Sequence, residues 1–201
     1  MSCTTQNNSA GQAFRILLGQ LGLNPALCDA LVDWIDTDSN ALPDGAEDPY
    51  YLSQDPPYRA ANSYLASVGE LRLIKGFTPE VVDRLSPYVT ALPPSTANTL
   101  NINTASQDML HYFMPDVNVG AIIEYRKRTP FTEISALHPL VSDDAWNRVQ
   151  NLIGVSSSFF SARARVTQGR TSITYRAILQ RQGGATAGAW PTVISITEEP
   201  M

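Results

Sequence analysis

Between Asp29 and Asp55 the sequence places eight acids and no lysine or arginine. Carboxylates packed this closely repel one another unless water, a cation or a basic partner intervenes. Six side chains in this stretch have the spacing of a loop that wraps a hard cation. Counted from Asp36, the alternating start of a calcium loop falls on Asp36, Asp38 and Asn40; its ninth position is Asp44, its twelfth is Glu47, and Asp48 follows. Calcium takes six to eight oxygens, and short side chains at alternate positions of a curling loop aim them inward. Magnesium fits less well, because it prefers few carboxylates and many waters. The match to an EF-hand is imperfect. Ala41 stands where the sharp turn wants glycine, Pro43 takes the eighth position, and Pro49 argues against an exit helix. The stretch therefore reads as a calcium loop of non-EF-hand type, with a solvated acidic loop as the plainer alternative.

No catalytic set accompanies it. His111 and His138 are the only histidines, and neither has a nucleophile or metal-ligand partner nearby in sequence. No nucleophile elbow, zinc-protease helix, phosphate loop or dinucleotide fingerprint occurs. Acids bunched in one short loop look like ligands rather than an acid and a base set across a cleft. The expectation is a protein that is not an enzyme.

The elements that must position the loop follow from periodicity. Residues 12–35 read as two short helices. Phe14, Leu17, Leu18 and Leu21 form one stripe; Leu27, Leu31, Trp34 and Ile35 form the next. Gly22 closes the first helix, Asn24 caps the second and Pro25 opens it. Residues 36–62 are a long loop. Helices are expected again over 67–76, from Thr78–Pro79 onward, after Thr104, across 117–129, and in two short pieces over 134–154, the second capped by Ser142. After Gly154 the period changes to two. Phe160, Ala162, Ala164 and Val166 share one face, and Arg163 and Arg165 the other. Gln168–Gly169 offers a hairpin turn. Ile173, Tyr175, Ala177 and Leu179 repeat the apolar face, and residues 192–197 form a third strand. Three strands with one apolar face need a cover.

Composition bounds the classes. The 201 residues are 43% hydrophobic with net charge −5. That suffices for one large domain or two small ones, and it argues against a protein that grips phosphate backbones with clustered basic side chains. From Ala145 to Thr197 there are six arginines and no acid, so the two ends differ in chemistry. No run of apolar residues is long enough to span a membrane. Cys3 and Cys28 either pair, tethering the N-terminus, or stay as thiols.

Two resemblances arise. Residues 101–155, beginning NINTASQDML, are similar to a helix-hairpin-helix module of the DNA-uptake type. Such modules hold phosphates on a glycine-rich hairpin. Here the hairpin reads MPDVNVG, with Asp116 where a phosphate would sit. A nucleic-acid-binding module is thus the alternative functional reading.

The second resemblance covers nearly the whole chain. DWIDTDSNALPDGAEDPYY (33–51), PPYRAANSYLASVGELRLIKGFTPE (56–80), LSPYVTALP (85–93) and LNINTA (100–105) resemble the minor pseudopilin K family of bacterial type II secretion systems (general secretion pathway protein K). The resemblance implies an α+β, mainly α fold. A large helical domain with helix-hairpin-helix or SAM-like elements is inserted in a pseudopilin fold that has a long N-terminal helix and a small antiparallel sheet. It implies a bound structural calcium, whose ligands would be Asp36, Asp38, Asp44, Glu47 and Asp48, with Asn40 a weaker one, and Tyr50, Tyr51 and Tyr58 packed around it. It implies a non-enzymatic protein that joins the minor pseudopilins I and J at the tip of the periplasmic pseudopilus. There it would start or cap the filament for protein export across the outer membrane. It also implies an inner-membrane anchor in the full-length protein of a Gram-negative bacterium. The family's processing site, hydrophobic segment and long helix are not in this sequence, which reads as a periplasmic fragment. The expected layout is a flexible start (1–11), a helical inserted domain (12–155) with the acidic loop (36–62), and three C-terminal strands (156–201). Those strands form an incomplete sheet whose natural cover is the absent helix.

Overall fold

The computed structural model describes residues 9–93, 99–181 and 190–199. The expected Cys3–Cys28 pairing and the glycine-rich connection 183–189 lie outside them, as does half of the turn 91–96. The chain divides into two compact units, one ending at Val155 and the other starting at Ser156.

The first unit is helical. Helix α1 (Ser9–Gln20) begins three residues before the expected start. It buries Leu17, Leu18 and Leu21, and Gly22 ends it with φ +64, a left-handed conformation open to glycine without steric cost. Helix α2 (Leu27–Ile35) follows. Asn24 does not cap it directly; its side chain accepts from Ala26 N–H at 3.0 Å, ordering the turn that leads in. Helix α2 is buried almost all round, with Cys28, Asp29, Ala30, Leu31, Val32, Asp33 and Trp34 inside.

The long loop then contains a short helix, α3 (Asp48–Tyr51), which corrects the expectation that Pro49 forbids one. Proline in the first turn is tolerated because its missing N–H has no intrahelical partner there. A 3-10 helix (Val68–Leu73) stands where a helix was expected over 67–76. Helix α4 (Pro79–Leu85) is capped by Thr78, which accepts from Val81 N–H. These elements enclose a first core that includes Leu18, Leu31, Trp34, Ala46, Tyr51, Phe77 and Leu85.

A second core, also in this unit, gathers Ile102, Leu110, Met114, Ile122, Leu137 and Val149. It is built from α5 (Gln107–Phe113), α6 (Val119–Arg128), a 3-10 helix (Ile134–Leu140) and α7 (Asp143–Val149). Ser142 caps α7 as expected. The cap of α5 is Ser106 rather than Thr104. Thr104 and Ala105 instead direct their N–H groups to Asn101 O, at 3.1 and 2.9 Å. That turn delays the helix by two residues. Two short strands, β1 (Leu100–Asn101) and β2 (Ile153–Gly154), pair in parallel and close this half.

The second unit is an antiparallel sheet in the order β3 (Phe159–Gln168), β4 (Thr171–Gln180), β5 (Thr192–Glu199). The register sets Phe160 opposite Leu179, Ala162 opposite Ala177, Ala164 opposite Tyr175 and Val166 opposite Ile173. The apolar residues expected on one face therefore share it. On that face Val166 is 64% exposed and Ile196 63%. The architecture is α+β and mainly α. Among the described residues no helix is long and apolar enough to cross a membrane.

Candidate metal centre

Helix α2 delivers the acidic loop. Its last turn ends at Asp36, whose N–H still reaches Val32 O at 2.9 Å. The chain then bulges outward through exposed residues 37–41 and returns to the core at Ala46. Asp36, Asp38 and Glu47 meet there, each offering a carboxylate oxygen within 4.8 Å of the others. Glu47 is 5% exposed. Its Oε1 and Asp36 Oδ1 are buried without a hydrogen-bond partner. Burying a carboxylate oxygen with nothing to bind costs several kcal/mol, so these two atoms mark where a positive group belongs.

The electrostatics agree. Burial pushes Glu47 up to about 7, and the neighbouring charges of Asp33, Asp36 and Asp38 add to it. Asp36 is raised as well, first by burial and then by Asp38. Both shifts disfavour the bare charged carboxylate, and a neighbouring cation would oppose them. An oxygen-only donor set with clustered carboxylates suits calcium, and a cation held there would replace the missing hydrogen-bond partners.

The other expected ligands are placed differently. Asn40 leans on the cluster through Asp38, donating from its backbone and side chain to Asp38 Oδ1 at 2.8 and 2.9 Å. Asp44 is exposed, and its backbone N–H points to Asp29 Oδ2 at 3.4 Å. Asp48 accepts from Arg59 and from Ala60 N–H at 3.1 Å. Three candidates thus converge, one buttresses them, Asp48 has other partners, and Asp44 is exposed outside the cluster.

The loop is also less isolated from positive charge than its sequence suggests. Arg15 pairs with Asp29 at 2.5 Å, Arg59 pairs with Asp48, and Lys75 Nζ donates to Gly45 O at 2.8 Å while lying over the Tyr50 ring. All three come from outside 29–55, where sequence spacing gives no hint of them. Tyr51 is fully buried. Its ring meets Trp34, Tyr50 and Tyr58 at centroid distances of 5.0, 5.2 and 5.4 Å. This aromatic knot anchors α3 immediately after Glu47.

Spacing also gave no role to Asp33, which is fully buried. Burial pushes its carboxyl up to about 6, opposed by hydrogen bonds from the Leu42 and Ala46 backbone and reinforced by Asp36 and Asp29. The only sequence signal was its position three residues before Asp36, on the inward face of α2.

Elsewhere in the first unit, the segment 114–120, read from sequence as a hairpin, spans the end of α5 and the start of α6. Asn118 caps α6 by accepting from Ala121 N–H at 3.2 Å. Asp116, in the same hairpin, pairs with Arg148 at 2.5 Å.

Taken together, these features describe a helical domain organised around an acidic loop, followed by a small antiparallel sheet. Residues 2–94 match the family model described as type II secretion system (T2SS), protein K. The chain is 33% identical over 185 residues to type II secretion system protein K of Klebsiella pneumoniae, covering 86% of this chain and 56% of the relative. It is 30% identical over 185 residues to the protein of that name from Pectobacterium carotovorum, with the same two coverages. The Pseudomonas aeruginosa protein is 45% identical over 102 residues, 48% of this chain and 30% of the relative. In fold the chain is similar to a chain of the GspK–GspI–GspJ complex from the type 2 secretion system of enterotoxigenic Escherichia coli. The TM-score is 0.80 at 21% identity, covering 100% of this chain and 74% of that one. Residues 2–94 carry the match to the type II secretion system protein K family, and the similarity to proteins of that name extends over 86% of the chain. It spans 56% of the length of the Klebsiella and Pectobacterium relatives.

Proposed function

We propose that this chain is the periplasmic part of a non-enzymatic minor pseudopilin. It joins the minor pseudopilins I and J at the tip of a type II secretion pseudopilus, where it initiates or caps the filament for export of folded proteins across the outer membrane. Its whole protein is anchored in the inner membrane by a segment outside this sequence. The family match and the likeness of fold to a chain of a GspK–GspI–GspJ complex support the assembly role. The acidic loop supplies the chemistry of a structural calcium site: Asp36, Asp38 and Glu47 hold the ion, Asn40 supports Asp38, and backbone oxygens or water complete the shell. The observation that carries the metal reading is the pair of orphaned buried oxygens on Asp36 and Glu47. Bound calcium neutralises the cluster and fastens the loop; it performs no reaction.

The test mixes the chain with the I and J proteins of the same organism, in calcium and in chelator, and follows them by size-exclusion chromatography. A ternary complex is expected. Failure of the three to co-elute under both conditions would remove the assembly reading.

A further inference from the structure

The acidic cluster depends on a chain reversal that no cluster residue makes. Asp36 and Asp38 leave α2 going outward, and Glu47 must come back to them. The return runs through Leu42–Ala46, and one side chain holds it at Leu42 and lies against Gly45. Asp33 accepts from Leu42 N–H through both carboxylate oxygens, at 3.3 and 3.0 Å. Within the grip, Gly45 N–H donates to Leu42 O at 3.0 Å, closing a turn. That turn lies directly against the carboxylate. A Cβ on Gly45 would overlap Asp33 Oδ2 and lie 2.6 Å from its Cγ. Asp33 is fully buried on α2, so it has no room to retreat. The residue after Ala46 is Glu47, whose carbonyl starts α3 by accepting from Tyr50 N–H at 2.9 Å. Glu47 is therefore held between the Asp33 grip and the buried Tyr51.

We infer that Asp33 is the positioning residue of the calcium site: packed against Gly45, it folds the loop back so that Glu47 faces Asp36 and Asp38 before any ion arrives. The inference rests on the calcium reading above. Asp33 turns both oxygens to the Leu42 N–H and acts through the placement of Glu47. Partners that orient metal ligands from behind typically change affinity by about 10- to 100-fold when removed.

Two variants test it with calcium chloride by titration calorimetry and with terbium chloride by luminescence lifetimes in H2O and D2O, which count metal-bound waters. D33N exchanges an oxygen acceptor for a donor that faces another donor. G45A keeps every carboxylate and pushes the turn off Asp33. V32A, a buried truncation on the same helix, is the control for lost stability alone. Both D33N and G45A are expected to weaken calcium about tenfold or more and to add metal-bound water, while V32A changes neither. If D33N does not fold, G45A decides. Folded variants that bind with wild-type affinity and hydration would overturn the role of Asp33, as would an equal loss in V32A. A wild-type chain that binds neither ion removes the calcium reading itself, and the inference falls with it.

Discussion

Asp116 and Arg148 form an ion pair at 2.5 Å that fastens the hairpin before α6 to helix α7. The aspartate sits where a phosphate-gripping hairpin would need free N–H groups and no negative charge. The arginine is engaged with it and holds its carboxyl below the ordinary value. The expected outcome is no mobility shift of duplex or single-stranded DNA at low salt. A shift that weakens steeply as salt rises would instead favour a nucleic-acid binder. Because both side chains are about half exposed, Asp116→Ala should lower stability by no more than about 1 kcal/mol in urea denaturation.

Calcium should raise the melting temperature of the wild-type chain, and magnesium should do little. At a free ion concentration a hundredfold above Kd, one site adds about 2.7 kcal/mol, or roughly 5–10 °C for a chain of this size. Asp36→Ala combined with Asp38→Ala should abolish the shift. In chelator that variant should melt no lower than wild type, because it removes repulsion. A double variant that keeps the full calcium shift would mean that the ion sits elsewhere.

The pH dependence without calcium has a definite sign. Glu47 rises from 4.5 to about 7 on folding and Asp33 from 3.8 to about 6, so the folded state holds protons that the unfolded chain releases. Stability from these groups is complete below pH 3.8 for Asp33 and 4.5 for Glu47. It declines as pH rises through 6 and 7. In chelator, urea midpoints should therefore fall between pH 5 and pH 7.5. In saturating calcium this loss should shrink or reverse, since the ion replaces the protons. Equal slopes in calcium and chelator would count against a cation at Glu47.

Asn103 ties the second core together. Its Nδ2 donates to Phe131 O at 2.9 Å and Val155 O at 3.0 Å, and its Oδ1 accepts from Phe131 N–H at 2.8 Å. Asn103→Ala strands these backbone groups and should cost about 1–3 kcal/mol, read as a lower urea midpoint. Calcium affinity should be unchanged, because the acidic loop belongs to the other core.

Much of this was legible from short-range pattern. The period-two face of Phe160, Ala162, Ala164 and Val166 appears in register against β4, because alternation in a sheet leaves only one apolar face. The caps at Thr78 and Ser142 were readable because a hydroxyl before a helix has few other uses. The Thr104 cap was misread because the choice between it and Ser106 depends on the Asn101 turn. The β1–β2 pair carries no periodicity, being two residues on each side and about fifty apart in sequence. The acidic loop shows the same division. Spacing brought Asp36, Asp38 and Glu47 to notice. It could not show that Arg59 engages Asp48, nor that Asp33 would turn its oxygens to the backbone.

Helix α1 contributes to both cores. Leu17, Leu18 and Leu21 belong to the first, and Ala13 belongs to the second. The first half also contains the orphaned carboxylates, while the second has its own caps and its Asn103 clasp. The helical unit is thus two rooms sharing one beam. When the first room loosens, α1 can stay seated on α5, and the second need not follow. Hydrogen exchange in chelator should therefore proceed in two tiers, with amides of the half that contains the acidic loop opening at lower free energy than those around Ile102 and Leu110. A bound ion would then govern how much of the molecule unfolds as a single event.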